Sequence, residues 1–455
     1  MVVTAWFPLA LLFADVFRAS LIAPVLALLH SYFVGVLELW IQHSLDLLRV
    51  MIPLSSFSVS TLLLLRKPRW RLQPGRPDRS DAALLAPLVA GVFVLHYMPI
   101  QALGWDARFI WYTKARIFML EPSATASALS GSAHEIHPGY SPAVPMLVSD
   151  IWRCTGTIDP HTLRLVVATL AVALLGLLLD SLQQTLPTSL RRKTSTRLIL
   201  GGSAFLLIST AGGTGPIGYL DLILALALAS VAIITLQSTT AREPQMIMLT
   251  LAAAAAITKQ EGFVFLLVIL IVSRALTRKR ISKALILAFC FYCSWSFTKV
   301  FLDVPESNAG RTVLPSIVDL AMGDSTTFTE VLGHLETRNL LTVGGFLIAH
   351  LFLLFETFRA RKRSIQVSFQ LLITSLLCYF LLLVTYLFGA YRDHIVWWID
   401  SSLTRISTVS VVLLVCQATL LILNVQSSLQ ASHARGAEVD STNRNVALRF
   451  SGRRN

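Results

Sequence analysis

Charge is what this chain has least of. Only 14% of its 455 residues are Asp, Glu, Lys or Arg, against about 25% in soluble globular domains. A chain so poor in charge cannot cover a soluble surface. The five cysteines include no disulfide framework and no ligand set. Cys290, Cys293, Cys378 and Cys416 lie inside apolar runs and read as small hydrophobes, and Cys154 stands alone in a loop. The alternating ten-residue segments of a membrane β-barrel are also missing. No glycine-rich stretch ends in Gly-Lys-Ser/Thr after a strand, so a phosphate loop is excluded. The first residues lack the cleavage site of a secretory signal, and a retained N-terminal helix is expected.

Long apolar runs take the place of charge. Leu163–Leu182, Tyr219–Leu236, Ala284–Phe301 and Phe369–Leu387 match the roughly 20 residues needed to cross about 30 Å of hydrocarbon. Backbone groups in lipid find no water, so such spans must be helices. The expected fold is an all-α polytopic membrane protein of about 12 transmembrane helices. Spans are expected near 82–103, 163–183, 198–213, 219–237, 246–258, 262–275, 284–301, 341–358, 367–389 and 407–425, with two or three more before residue 66.

The formal net charge of +13 is carried in short clusters between the runs: Arg66-Lys67-Pro68-Arg69, Arg191-Arg192-Lys193, Arg278-Lys279-Arg280 and Arg361-Lys362-Arg363. That placement is the positive-inside pattern of a membrane protein and argues against nucleic acid as a partner. It assigns these loops, and a Ser-, Asn- and Arg-rich disordered tail over 426–455, to the cytoplasmic side. The opposite side then holds two long loops, about 104–162 and 302–340. It also holds polar groups at span ends: Asp221, Lys259, Glu261, Arg392, Asp393, His394 and Arg405.

Five segments on that side carry chemistry. Trp105-Asp106-Ala107 opens a stretch without Gly or Pro to residue 120, read as a helix lying along the headgroups. An Asp at its start suits the helix dipole as well as it suits catalysis. His137-Pro138-Gly139-Tyr140-Ser141-Pro142 leads on to Pro145, so three prolines in eight residues impose an extended turn. Gly218-Tyr219-Leu220-Asp221 enters a span with an acid. Thr258-Lys259-Gln260-Glu261-Gly262 sets a cation and an anion at one depth: the lysine suits a phosphate as a point charge, and a Lys259–Glu261 pair satisfying itself at a tight turn is the alternative. Ser402-Leu403-Thr404-Arg405 precedes the last span.

In this order the five segments resemble GT-C type membrane glycosyltransferases. The nearest likeness is to bacterial transferases of the dolichyl-phosphate-mannose–protein mannosyltransferase and aminoarabinose transferase superfamily. The likeness covers residues 104–405. The chain departs from the family pattern at Gly139, where an acid is usual, at the inserted Ser141, and at Thr404, where Asp is common. The loss of a carboxylate at position 139 leaves that role unfilled.

The resemblance implies a GT-C-like bundle over 82–425, preceded by N-terminal helices and a basic loop over 1–81. It implies transfer of a sugar from a polyprenyl-phosphate donor to a hydroxyl of a lipid, glycan or protein, with inversion. The setting it implies is the extracytoplasmic face of a bacterial cytoplasmic membrane. Asp106 is the expected general base. Lys114, His137, Tyr140, Asp221, Lys259, Glu261 and Arg405 are the expected substrate-binding residues, with Lys259 and Arg405 facing the phosphate. No obligatory cofactor is expected, and any divalent metal would fall between Asp106 and Asp221. The rival readings are a secondary transporter, which would carry its charges near the midplane, and a non-catalytic membrane scaffold.

Overall fold

The computed structural model describes residues 4–12, 14, 16–66, 106–131, 137–186, 194–210, 220–237, 242–277, 282–305, 351, 362–389, 407–423 and 426. Every regular element among them is helical. A short helix α1 (Phe7–Leu11) leads into α2 (Val16–Ile41) and α3 (Asp46–Arg66). After a π-helical stretch (Ala107–Tyr112) come α4 (Thr113–Ile117), α5 (Pro122–Gly131) and α6 (Ala143–Thr155). The remaining helices are α7 (Pro160–Thr185), α8 (Thr194–Thr210), α9 (Asp221–Leu236), α10 (Arg242–Thr258), α11 (Gln260–Thr277), α12 (Ser282–Phe301), α13 (Lys362–Gly389) and α14 (408–423).

Among the described residues, four stretches are long and apolar enough to cross a membrane: Phe17–Ile41, Asp46–Leu65, Pro160–Thr185 and Lys283–Phe301. At 1.5 Å per residue, the 26 residues of α7 reach about 39 Å. The expected spans at 163–183, 198–213, 219–237, 246–258, 262–275, 284–301, 367–389 and 407–425 fall on α7 to α14 in order. Those at 82–103 and 341–358 lie outside the described residues. Two long helices, α2 and α3, occupy the region before residue 66.

The core gathers around α9. Every residue from Asp221 to Thr235 is buried, as befits a helix that is apolar all round and enclosed by α7, α10 and α11. The opposite extreme is α3, whose Leu47, Val50, Leu54, Val59, Leu62 and Leu65 are all more than half exposed. An apolar helix with that much bare surface suits hydrocarbon rather than water.

Polar groups define the two ends of the bundle. At one end Arg18, near the start of α2, bonds Asp180 of α7 at 2.8 Å and Glu243 of α10 at 2.6 Å. At the other end the Trp40 indole N–H donates to the Thr298 hydroxyl at 2.8 Å, tying α2 to α12. That second end carries the segments singled out above.

The α10–α11 connection shows how tightly the chain turns there. Lys259 alone separates the two helices, and α11 returns against α10. The buried run Ala252–Ala256 lets the neighbours come close. A Cβ on Gly262 would lie 2.0 Å from the Ala255 carbonyl oxygen and 2.9 Å from Leu224 Cδ1. Backbone cannot yield as a side-chain tip can, so only glycine fits this hairpin. Gly262→Ala is expected to destabilise the protein by about 1–3 kcal/mol through overpacking, read as a lower melting temperature in detergent. An unchanged melting temperature would contradict the close approach.

Candidate functional site

The site is built around the turn that Pro138 and Pro142 keep out of helix. His137 adopts φ 42°, a left-handed conformation uncommon for a residue with a side chain. The Tyr140 N–H closes the turn onto the His137 carbonyl at 2.9 Å. A non-helical stretch packed against apolar helices leaves carbonyl oxygens that need donors. The Lys114 amine donates to the His137 and Tyr140 carbonyls, both at 2.8 Å. The Gly139 carbonyl accepts from the Gln260 amide at 2.6 Å and from the Trp295 indole at 2.9 Å. The Ser141 hydroxyl donates to the Ile257 carbonyl in the last turn of α10. The inserted Ser141 and the replaced Gly139 are therefore both part of the seam between the turn and the α10–α11 hairpin.

Aromatic rings complete the packing. His137 stacks on Tyr140 with centroids 4.9 Å apart, and Tyr140 stacks on Trp111 at 5.9 Å. The Lys114 amine lies 5.8 Å from both the Trp111 and Tyr140 rings, within reach of their π-faces. Lys114 is fully buried. Burial pushes its amine well below the ordinary value, and the nearby Lys299 charge adds to the shift. Expected to face substrate, Lys114 here serves the backbone of the turn.

The second cluster is an ion pair. Asp221, in the first turn of α9, where the dipole favours an anion, accepts from the Lys259 amine at 2.7 Å. Both side chains are at most one-tenth exposed. The lysine thus turns to an acid 38 residues away rather than to its neighbour Glu261. Glu261 sits half-buried in the first turn of α11. Because Lys259 and Gln260 are adjacent, one hairpin tip joins the two clusters: Lys259 reaches Asp221 and Gln260 reaches the turn.

Asp106 is half-buried immediately before the π-helical stretch, about two turns upstream of Lys114. Local π-helix often marks functional sites. Arg405, with Arg392, Asp393 and His394, lies outside the described residues. Among the described residues no three His, Cys, Asp or Glu side chains gather as metal ligands would. A further set of charges holds α6, which follows the turn. Arg49 of α3 pairs with Glu38 of α2 and Asp150 of α6. Arg153 of α6 bonds the Phe118 carbonyl at 2.8 Å and Asp46 at 3.3 Å.

Several of these contributors had no signal in the sequence. Trp295 sits inside an apolar run and reads as a span residue. Gln260 is an unremarkable neighbour of Lys259. Trp111 was one aromatic among several in its segment. Nothing in their spacing shows that they meet at residues 139 and 140.

Three expectations follow. Lys114→Met keeps the volume but orphans two carbonyls, each costing about 1–3 kcal/mol, so cleavage by protease in the 137–141 turn should increase. The folded chain also binds the Lys114 proton less tightly than the unfolded chain. Stability in the wild type should therefore rise with pH between that lowered value and the ordinary 10.5, and this rise should flatten in Lys114→Met. For the pair, Lys259→Met alone should cost about 3–5 kcal/mol by stranding a buried carboxylate, and Asp221→Leu/Lys259→Met should recover most of it. Additive losses in that cycle would mean that the two groups are not coupled.

Comparison with protein-family models, curated proteins and solved structures finds no match at a significant level.

Proposed function

We propose that this chain is a polytopic membrane glycosyltransferase of GT-C type. It moves a sugar from a polyprenyl-phosphate donor to a hydroxyl acceptor on the extracytoplasmic side of a bacterial cytoplasmic membrane. The observation that carries the reading is a junction of segments far apart in the chain. The helix begun by Asp106 meets the His137–Ser141 turn through Lys114. The turn meets the α10–α11 tip through Gln260, and the tip meets the start of α9 through Lys259 and Asp221. These are four of the five segments on which the family likeness rests, and they adjoin at one end of an apolar bundle.

In this reaction Asp106 takes the proton of the acceptor hydroxyl. The acceptor oxygen attacks the anomeric carbon, the bond from that carbon to the phosphate oxygen breaks, and the configuration inverts. The lipid phosphate leaves with the negative charge. Lys259 and Arg405 stabilise that charge, as electrostatics fixed in advance can do in a site poor in water. His137 and Tyr140 offer a stacked polar wall for sugar or acceptor. Asp221 keeps Lys259 charged in its buried position, and Glu261 lies within the same hairpin tip. About a dozen spans complete the bundle.

A buried acid–lysine pair also favours a second reading, an ion-coupled transporter, in which such pairs exchange partners during transport. One assay separates the two. Reconstituted protein supplied with a radiolabelled polyprenyl-phosphate sugar should yield a glycosylated product, and Asp106→Asn should abolish it while membrane insertion is preserved. Full transfer by Asp106→Asn removes Asp106 from the chemistry. Flux of solute without any product supports the transporter.

A further inference from the structure

The helices before residue 66 carry a polar cluster that the proposed reaction does not use. The 3₁₀ turn Thr4–Trp6 and α1 pack against both α2 and α3. This seats the Trp6 indole on the His30 imidazole of α2, with ring centroids 5.0 Å apart and planes tilted by 48°. Trp6 and His30 are each 7% exposed, and Ser31, the next residue, is fully buried. Among the described residues, Trp6 Nε1, both ring nitrogens of His30 and Ser31 Oγ have no hydrogen-bond partner. Other polar side chains of α2 do find partners. The Tyr32 hydroxyl bonds Ser294 at 2.7 Å and the Phe291 carbonyl at 3.1 Å, and the Trp40 indole bonds Thr298.

The cluster lies deep in the bundle. His30 stands twelve residues beyond Arg18 and ten before Trp40, which mark the two polar ends. At 1.5 Å per residue it is about 18 Å from one end and about 15 Å from the other. The layer continues onto α3. The Arg49–Glu38 ion pair brings the start of α3 level with the end of α2. Seven residues inward on each helix come Ser31 and Ser56, and the Ser56 hydroxyl oxygen is also buried without a hydrogen-bond partner.

Hydrocarbon offers no water to an orphaned donor or acceptor, so such groups call for a guest. A charge at this depth is costlier still, and none of the four residues supplies a counter-charge, so the imidazole is neutral. A neutral imidazole has one donor and one acceptor, and an indole only donates. The matching guest therefore accepts one hydrogen bond, donates another and carries no charge. A hydroxyl does all three. A carboxylate or phosphate is charged and only accepts, and an ammonium is charged and only donates. On one side the cluster is closed by α3, whose Val50, Leu54 and Val59 are bare toward hydrocarbon.

We infer that Trp6, His30, Ser31 and Ser56 form a mid-membrane binding site for a neutral hydroxyl group. The indole N–H donates to its oxygen, and the hydroxyl donates to an imidazole nitrogen. Water and a membrane-dissolved alcohol present this same chemistry. The site does not depend on the transferase reading. The plain alternative is a set of orphaned groups that the surrounding apolar packing tolerates.

The experiment uses the full chain in nanodiscs and isolates Trp6 emission as the difference between each protein and its Trp6→Phe counterpart. Octanol is the alcohol probe, octane its apolar control, and heavy water the probe for bound water. Bound alcohol appears as a saturable red shift of Trp6 emission with octanol and none with octane. Bound water appears as a longer Trp6 lifetime in heavy water that octanol does not alter. Either signal supports the site when it depends on His30. His30→Phe should weaken octanol binding roughly fivefold or abolish the isotope effect, and His30→Gln, which keeps a donor and an acceptor, should largely restore it. Ser31→Ala, too small a change to disturb folding, should weaken the signal in the same direction. Absence of both signals in the wild type overturns the inference, as does a signal unchanged in both His30→Phe and Ser31→Ala.

Discussion

A non-helical backbone segment wedged into the end of an apolar bundle must find donors for its carbonyl oxygens, and the rest of the site depends on how it does so. Helices satisfy their own backbone, so α2, α7, α9 and α12 can pack with little polar help. The His137–Ser141 turn cannot. Its prolines forbid helix, and its carbonyls face inward. Lys114, Gln260 and Trp295 supply the donors from three separate parts of the chain. Each of these bonds also fixes a relative position: the first loop against the turn, the turn against the α10–α11 tip, and the turn against α12. The bonding that satisfies the turn is the same bonding that assembles the site.

The charges follow a second constraint. A lysine placed within an apolar bundle needs an anion or a set of oxygens. Lys259 has Asp221. Lys114 has two carbonyls and two aromatic faces, and it gives up basicity in that setting. Arg49 has Glu38 and Asp150. In each case, the partner comes from another segment of the chain, so charge compensation and tertiary assembly are one event.

Some of this was legible in the sequence and some was not. The helices were legible because apolar length is a local property: the runs that begin near Leu163, Tyr219 and Ala284 became α7, α9 and α12. The turn was legible because Pro138 and Pro142 act on their own backbone. The partner of Lys259 was not legible. Two neighbours in sequence looked able to satisfy each other, but the α10–α11 hairpin points Lys259 toward α9. Lys114 was likewise read from its position in an aromatic helix, which says nothing of the carbonyls that fold back onto it. Gly139 read as a lost acid. In the structure its carbonyl, a group every residue possesses, is what matters.

By itself the sequence determined what each segment could be: apolar helix, proline-bound turn, or charged span end. Composition and local sterics suffice for that, since the bilayer's demand for about 20 apolar residues and the ring of proline act within a segment. Only the tertiary structure decided which polar groups would pair, because pairing depends on the approach of segments separated by tens or hundreds of residues. Asp221 meets Lys259 across 38 positions, and Gly139 meets Trp295 across 156. Burial then fixes those choices, since a buried polar group left without its partner costs more than any rearrangement of the apolar helices around it would regain.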